Sequence, residues 1–239
     1  MISIENGSLN WRIASWTRVA PTRLGAIALL ALPVLFFLPL NQVPLFPNQR
    51  AGTEAIVWLG AFGLVGVFGR DVGKPVPAWG WLFQKGNPLA EHALTTWVAD
   101  LALGTAFITW WAIVWAPVMA TGFADALALW AGAELTFVVG LSLVFLLNAA
   151  VGRGAVETWM GMAFIALLDP LLKALPLVVR TLIRLVIPPI TDIREVGTAL
   201  RAGDWGTALG SLLHPSVYVG VCLVGGAYLV SRWKPRRSD

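Results

Sequence analysis

Three carboxylates lie where this chain has little water to offer them. Asp100 in "WVADLALG", Glu134 in "WAGAELTF" and Asp169 in "FIALLDPLL" each interrupt or border a long uncharged run. A charge at the bilayer centre costs about 2.5–3.5 kcal/mol on insertion scales, so such a residue usually faces a partner or a wet cavity. Two readings follow. The acids line or gate a polar pathway, or they reach water at helix ends and bond nearby hydroxyls such as that of Thr136. Other reactive residue types do not converge. His92 and His214 fall at opposite predicted membrane edges, which argues against a shared metal or a pair of haem ligands. Cys222 is the single cysteine, so an internal disulfide and any CxxC motif are excluded. "GRDVGKP" has the wrong spacing for a phosphate-binding loop and puts Pro75 where the hydroxyl belongs. No nucleophile, base and orienting group share one predicted depth. The expectation is a chain that is not an enzyme and binds no cofactor or metal itself.

The elements that must position these acids follow from composition. The 239 residues are 57% hydrophobic and 13% charged, against about 45–50% and 25% in soluble domains. A soluble domain of this size cannot hide so much apolar surface, so the solvent is lipid. Thirteen tryptophans against two tyrosines suit many contacts at headgroup level. The net charge of +4 belongs to basic residues flanking apolar runs, where they orient spans rather than bind nucleic acid.

The pattern predicts an all-α integral membrane protein, one transmembrane domain over 1–239. Six transmembrane helices are expected at about 24–40, 54–69, 95–120, 126–151, 156–175 and 214–231. An interfacial helix is expected at about 9–22, where Arg12 and Arg18 can reach lipid phosphates. With both termini inside, eleven of the seventeen Lys and Arg residues are cytoplasmic and six external, the favoured orientation. Five of those six fall between the fifth and sixth spans. There Asp169, Lys173, Arg180 and Arg184 form a narrow polar stripe, as in an interfacial or re-entrant helix, and an external re-entrant segment is expected at about 176–213. Gly60, Gly63 and Gly66 recur every third residue on one side of the second span. That spacing predicts a close helix–helix or dimer seam; a flexible pore-lining helix is the alternative.

Between the second and third spans, residues 70–92 form the one long inner loop. It is polar and turn-rich, yet carries Trp79, Trp81 and Phe83. On its residues alone it is either an aromatic docking surface or an interfacial helix dipping tryptophans into lipid.

The loop begins with Asp71 and Gly73, passes Leu82-Phe83 and reaches Pro88 at the third span. This order of acid, glycine, apolar pair and proline resembles the membrane subunits of ATP-binding-cassette exporters of the type-2 permease class. The six spans, the N-terminal amphipathic helix, "VIPPITDI" before the last span and the basic tail "SRWKPRR" extend the resemblance over the chain. Pro75, Pro77 and the tryptophans depart from the usual loop pattern. The resemblance implies a permease in the cytoplasmic (inner) membrane, paired with a second permease as a homo- or heterodimer. It also implies separate ATPase subunits that bind ATP and magnesium. It makes 70–92 a coupling loop, with Trp79, Trp81, Leu82 and Phe83 as apolar anchors and Arg70, Asp71 and Lys85 at the rim. The runner-up is a non-catalytic structural subunit of a respiratory or photosynthetic membrane complex, which needs no coupling loop.

The orientation has a direct test. Single-cysteine variants labelled from outside intact cells should react near Asn41–Asn48 and Asp192–Asp204 and stay silent at Pro75–Gly86. External reaction at Pro75–Gly86 would overturn both the six-span topology and the docking role.

Overall fold

The computed structural model describes residues 60–69, 72–73, 89–119, 122–151, 156–161, 176, 178–179 and 187–232, with backbone alone at 115–119. The expected interfacial helix and first span lie outside them, as do most of the 70–92 loop, of the fifth span and of the stripe segment, and the basic tail beyond Arg232. The described residues are helical, with no strand among them. Three helices are long and apolar enough to cross a membrane: Leu89–Val114, Phe123–Ala150 and Trp205–Ser231.

Helix α1 (Leu89–Met119) starts directly after Pro88, with Glu91 in its first turn where a carboxylate favours the helix dipole. Its 31 residues rise about 46 Å, more than a bilayer core, so it begins ahead of the third span expected at 95. Helix α2 (Phe123–Ala150) returns antiparallel after a short turn. Helix α3 (Ile190–Ala202) buries Ile190, Ile193, Val196, Gly197 and Leu200, a helical stripe that turns its polar face outward. It stops at Gly203, whose φ of 72° is left-handed. There Gly203 N–H bonds Leu200 O and Asp204 N–H bonds Ala199 O at 2.9 Å, closing a Schellman turn. Asp204 then opens α4 (Trp205–Ser211) by accepting from Thr207 N–H at 3.0 Å and from the Thr207 hydroxyl at 2.6 Å. The Thr207 hydroxyl, helped by the backbone, holds the exposed Asp204 carboxyl below its usual range. Helix α5 (Leu213–Ser231) follows almost without a break. Pro215 sits in its first turn, where the missing N–H costs least.

Contacts fix the direction of each segment. Gly60 lies against Trp111 and Gly69 against Val144. Trp159 of the helical segment 156–161 reaches Gly140, and Gly226 on α5 meets Phe145. Segment 60–69, α1, α2, segment 156–161 and α5 therefore alternate in direction. Gly69, Val72 and Gly73, the start of α1 and the ends of α2 and α5 share one end of the bundle. Helices α3 and α4 cap the other.

Most of the spanning stretch of α2 is buried, whereas only a minor part of those of α1 and of Trp205–Ser231 is. Helix α2 is the axis of the fold. Its Phe137, Leu141, Val144 and Phe145 join Leu64, Val65 and Trp159 in the main core. A smaller cluster of Ala128, Val196, Ala199, Leu200 and Ala208 fixes the cap. At four helical glycines an aromatic ring occupies the space a side chain would need: Trp111 over Gly60, Phe137 over Gly104, Trp159 over Gly140 and Phe145 over Gly226.

The three glycines of the expected seam differ from one another. Gly60 holds the Trp111 ring, Gly63 has open space where a Cβ would stand, and Gly66 meets Val156 at an ordinary 3.9 Å.

At Gly140 an added Cβ would come within 2.7 Å of both Trp159 and Val65. Gly140→Ala should therefore destabilise the bundle by about 1–3 kcal/mol, the usual cost of overpacking. Gly63→Ala should change stability by no more than about 1 kcal/mol, in the stabilising direction. Thermal unfolding of both variants in detergent checks the contrast.

Candidate functional site

The hairpin of α1 and α2 carries a polar ladder inside its apolar seam. Thr105 and Thr109 are one turn apart on α1, and Trp130 and Glu134 are one turn apart on α2. Antiparallel packing brings them into register. The Thr105 hydroxyl donates to Glu134 Oε1 at 2.5 Å. Trp130 Nε1–H donates to Thr109 Oγ1 at 3.1 Å. Both rungs are part-buried, and each joins groups that hydrocarbon would leave unsatisfied. Glu134 Oε2 is covered and has no hydrogen-bond partner among the described residues. The ladder holds one carboxylate oxygen and buries the other.

The remaining expected site residues fall elsewhere. Asp100 is 3% exposed and lies five positions before Thr105. At about 100° per residue that turns it away from the ladder. It shares the side of α1 that bears Gly104, which packs on Phe137. Asp100 and Thr105, the residue that holds Glu134, thus lie on different faces of α1. Asp169 lies outside the described residues, as do Arg70, Asp71, Trp79, Trp81, Leu82, Phe83 and Lys85. Thr136 donates to Gly132 O in its own helix at 2.7 Å and takes no part in the ladder.

Both ends of the bundle carry polar ties. At the cap end, Arg201 Nε approaches Asp125 Oδ1 to 2.8 Å, a contact that counts as an ion pair by distance rather than as an aligned hydrogen bond. The Asp125 side chain is 6% exposed, so a charge that would be costly alone is matched by one from α3. His214 Nδ1 lies 3.0 Å from Asp192 Oδ2, tying the start of α5 to α3. His214 therefore sits with the cap, while His92 stands at the start of α1 at the opposite end.

The loop end is held by Asn148, a residue the sequence reading did not single out. Its amide nitrogen donates to Gly69 O at 2.9 Å and to Val72 O at 2.7 Å. Gly73, with φ of 71°, brings its backbone against the Phe145 ring. The first turn of the expected coupling loop is therefore fastened to α2. A polar residue near the end of an apolar run was the only signal in the sequence, and it does not say which backbone it serves. No protein-family model, curated protein or solved structure matches the chain.

The Trp130–Thr109 rung can be measured alone. A double-mutant cycle of Trp130→Phe and Thr109→Val should give a coupling of about 0.6 kcal/mol, the average for hydrogen bonds between membrane helices. Reversible unfolding in bicelles reads it. A coupling indistinguishable from zero would show that the rung holds nothing.

Proposed function

We propose that this chain is the membrane-spanning subunit of an ATP-driven exporter of the type-2 permease class. Two such subunits form the substrate pathway in the cytoplasmic membrane, with six spans each and both termini inside. ATP and magnesium are bound and turned over by separate ATPase subunits docked on residues 70–92. Trp79, Trp81, Leu82 and Phe83 supply the apolar anchors, and Arg70, Asp71 and Lys85 the polar rim. Glu134, with Asp100 and Asp169 at other positions, supplies the polar groups of the pathway or its gate.

One observation carries the reading: the loop starts from a buried turn bonded twice to α2. A loop that merely rests its tryptophans in lipid gains nothing from a fixed root. One that must pass on a partner's movement needs it, and needs it on the helix that bears the pathway's polar group. Helix α2 carries both Asn148 and Glu134. A switch of this kind works only if the partner contacts the two states of the permease differently.

Trp81→Ala combined with Phe83→Ala should weaken ATPase association by about a hundredfold or more, as for two hot-spot aromatics that add imperfectly. Membrane insertion should survive, and transport should fall together with transport-linked ATP turnover. Trp130→Ala, within α2, should leave association intact. Co-purification of the ATPase at full yield with the double variant would remove the docking role, and the structural-subunit reading would take its place.

A further inference from the structure

Residues 69–73 pose a local problem that one side chain resolves. Gly69, Val72 and Gly73 are buried, and a buried carbonyl without a donor is costly. Gly69 N–H closes the end of segment 60–68 on Val65 O at 2.8 Å, but the carbonyls of Gly69 and Val72 need donors from elsewhere. Asn148, 1% exposed, gives one to each. Since both partners are acceptors, the amide must present its NH2 to them, and Oδ1 is left buried without a partner among the described residues. An apolar residue of the same shape would avoid that orphan oxygen. The two donated bonds are what the asparagine supplies against that cost.

Around this pair the packing joins three elements. Added Cβ atoms show how little room there is: at Gly69 one would meet Val144 at 2.9 Å, and at Gly73 it would meet Phe145 at 2.8 Å. The same Phe145 ring fills the space over Gly226 of α5. The loop root, the end of α2 and the end of α5 therefore meet at one ring and one amide.

We infer that Asn148 is a positioning residue, clamping the loop root to α2 so that a displacement of the loop reaches α2, and through Phe145 α5, as one body. The delivery of movement rests on the exporter reading; the clamp does not. Asn148 acts on backbone and touches no reacting group.

The test uses the full chain in lipid nanodiscs, read by amide hydrogen exchange, followed by the assembly with its ATPase. Asn148→Leu keeps the volume and removes both donors. It should raise exchange in the Gly69–Gly73 peptide about tenfold or more, the effect of losing two buried hydrogen bonds, while Val139–Val144 stays protected. Unchanged exchange at Gly69–Gly73 would reduce Asn148 to a space-filler and overturn the clamp. Should the Leu variant lose protection throughout, Asn148→Gln decides: retained amide donors should restore the Gly69–Gly73 peptide at least in part, and failure to do so overturns the clamp. In the assembly, Asn148→Leu should bind the ATPase at wild-type yield but lower permease-stimulated ATP turnover about tenfold. Full stimulation would overturn the delivery of movement. Absence of any ATPase on the wild-type chain would remove the exporter reading and the delivery with it, while the exchange result still decides the clamp.

Discussion

In lipid, two apolar helices gain little by shielding each other from solvent, because the acyl chains are as apolar as their side chains. What holds them is contact, and contact grows as backbones approach. This bundle achieves it by laying an aromatic ring into the gap that a glycine leaves, at Gly60, Gly104, Gly140 and Gly226. Each insertion joins a different pair of elements, and three of the four involve α2. That helix is buried along most of its spanning stretch, while its neighbours bury only a minor part of theirs. The order of the fold follows from this constraint: one helix is packed on all sides, and the rest are arranged by which ring or glycine they offer it.

The polar groups obey a second constraint, since each must find a partner inside the protein. Thr136 and Ser142 bond back to carbonyls of their own helix. Such bonds satisfy the hydroxyl but fix nothing between helices. Thr105, Thr109, Trp130 and Glu134 instead bond across the seam and set its register. Asp125 and Arg201 do the same between α2 and the cap. The cap owes little to apolar area, because its cluster is largely alanine with a few larger side chains. To that small cluster the Asp125–Arg201 ion pair adds a charged tie to α2.

How much of this was legible in the sequence depends on the interaction. The helical class, the apolar stretches and the position of Glu134 inside one of them were legible, because hydrophobicity over 20 residues is a property of the segment alone. The partner of Glu134 was not. Thr136, two residues away, looked the nearer hydroxyl, but on a helix it points elsewhere and reaches its own backbone. The clue lay in spacing: Thr105 and Thr109 mirror Glu134 and Trp130 about the turn near residue 120, as an antiparallel hairpin requires. Asn148 was harder to find, because its partners are backbone carbonyls 79 and 76 positions away, and carbonyls carry no sequence signal. The glycine triplet was visible as a pattern, yet the structure gives a different neighbour to each member, since a three-residue spacing drifts around the helix by about 60° per step.

The placement of polar groups along α2 bears on how one end of the bundle could answer the other. Asp125, Trp130, Glu134 and Asn148 are strung along a single uninterrupted helix, facing in turn α3, α1 and the loop root. Between Glu134 and Asn148 the helix is packed by Phe137, Leu141, Val144 and Phe145, each essentially buried. A packed interior resists bending and passes a displacement along rather than absorbing it. Movement at the loop root would reach the ladder mainly as a shift or rotation of α2. The ladder opposes such an input: a shift of one helical turn would bring Glu134 to Thr109 but carry Trp130 to Ile113, whose side chain offers no acceptor, so the Trp130–Thr109 rung would be lost.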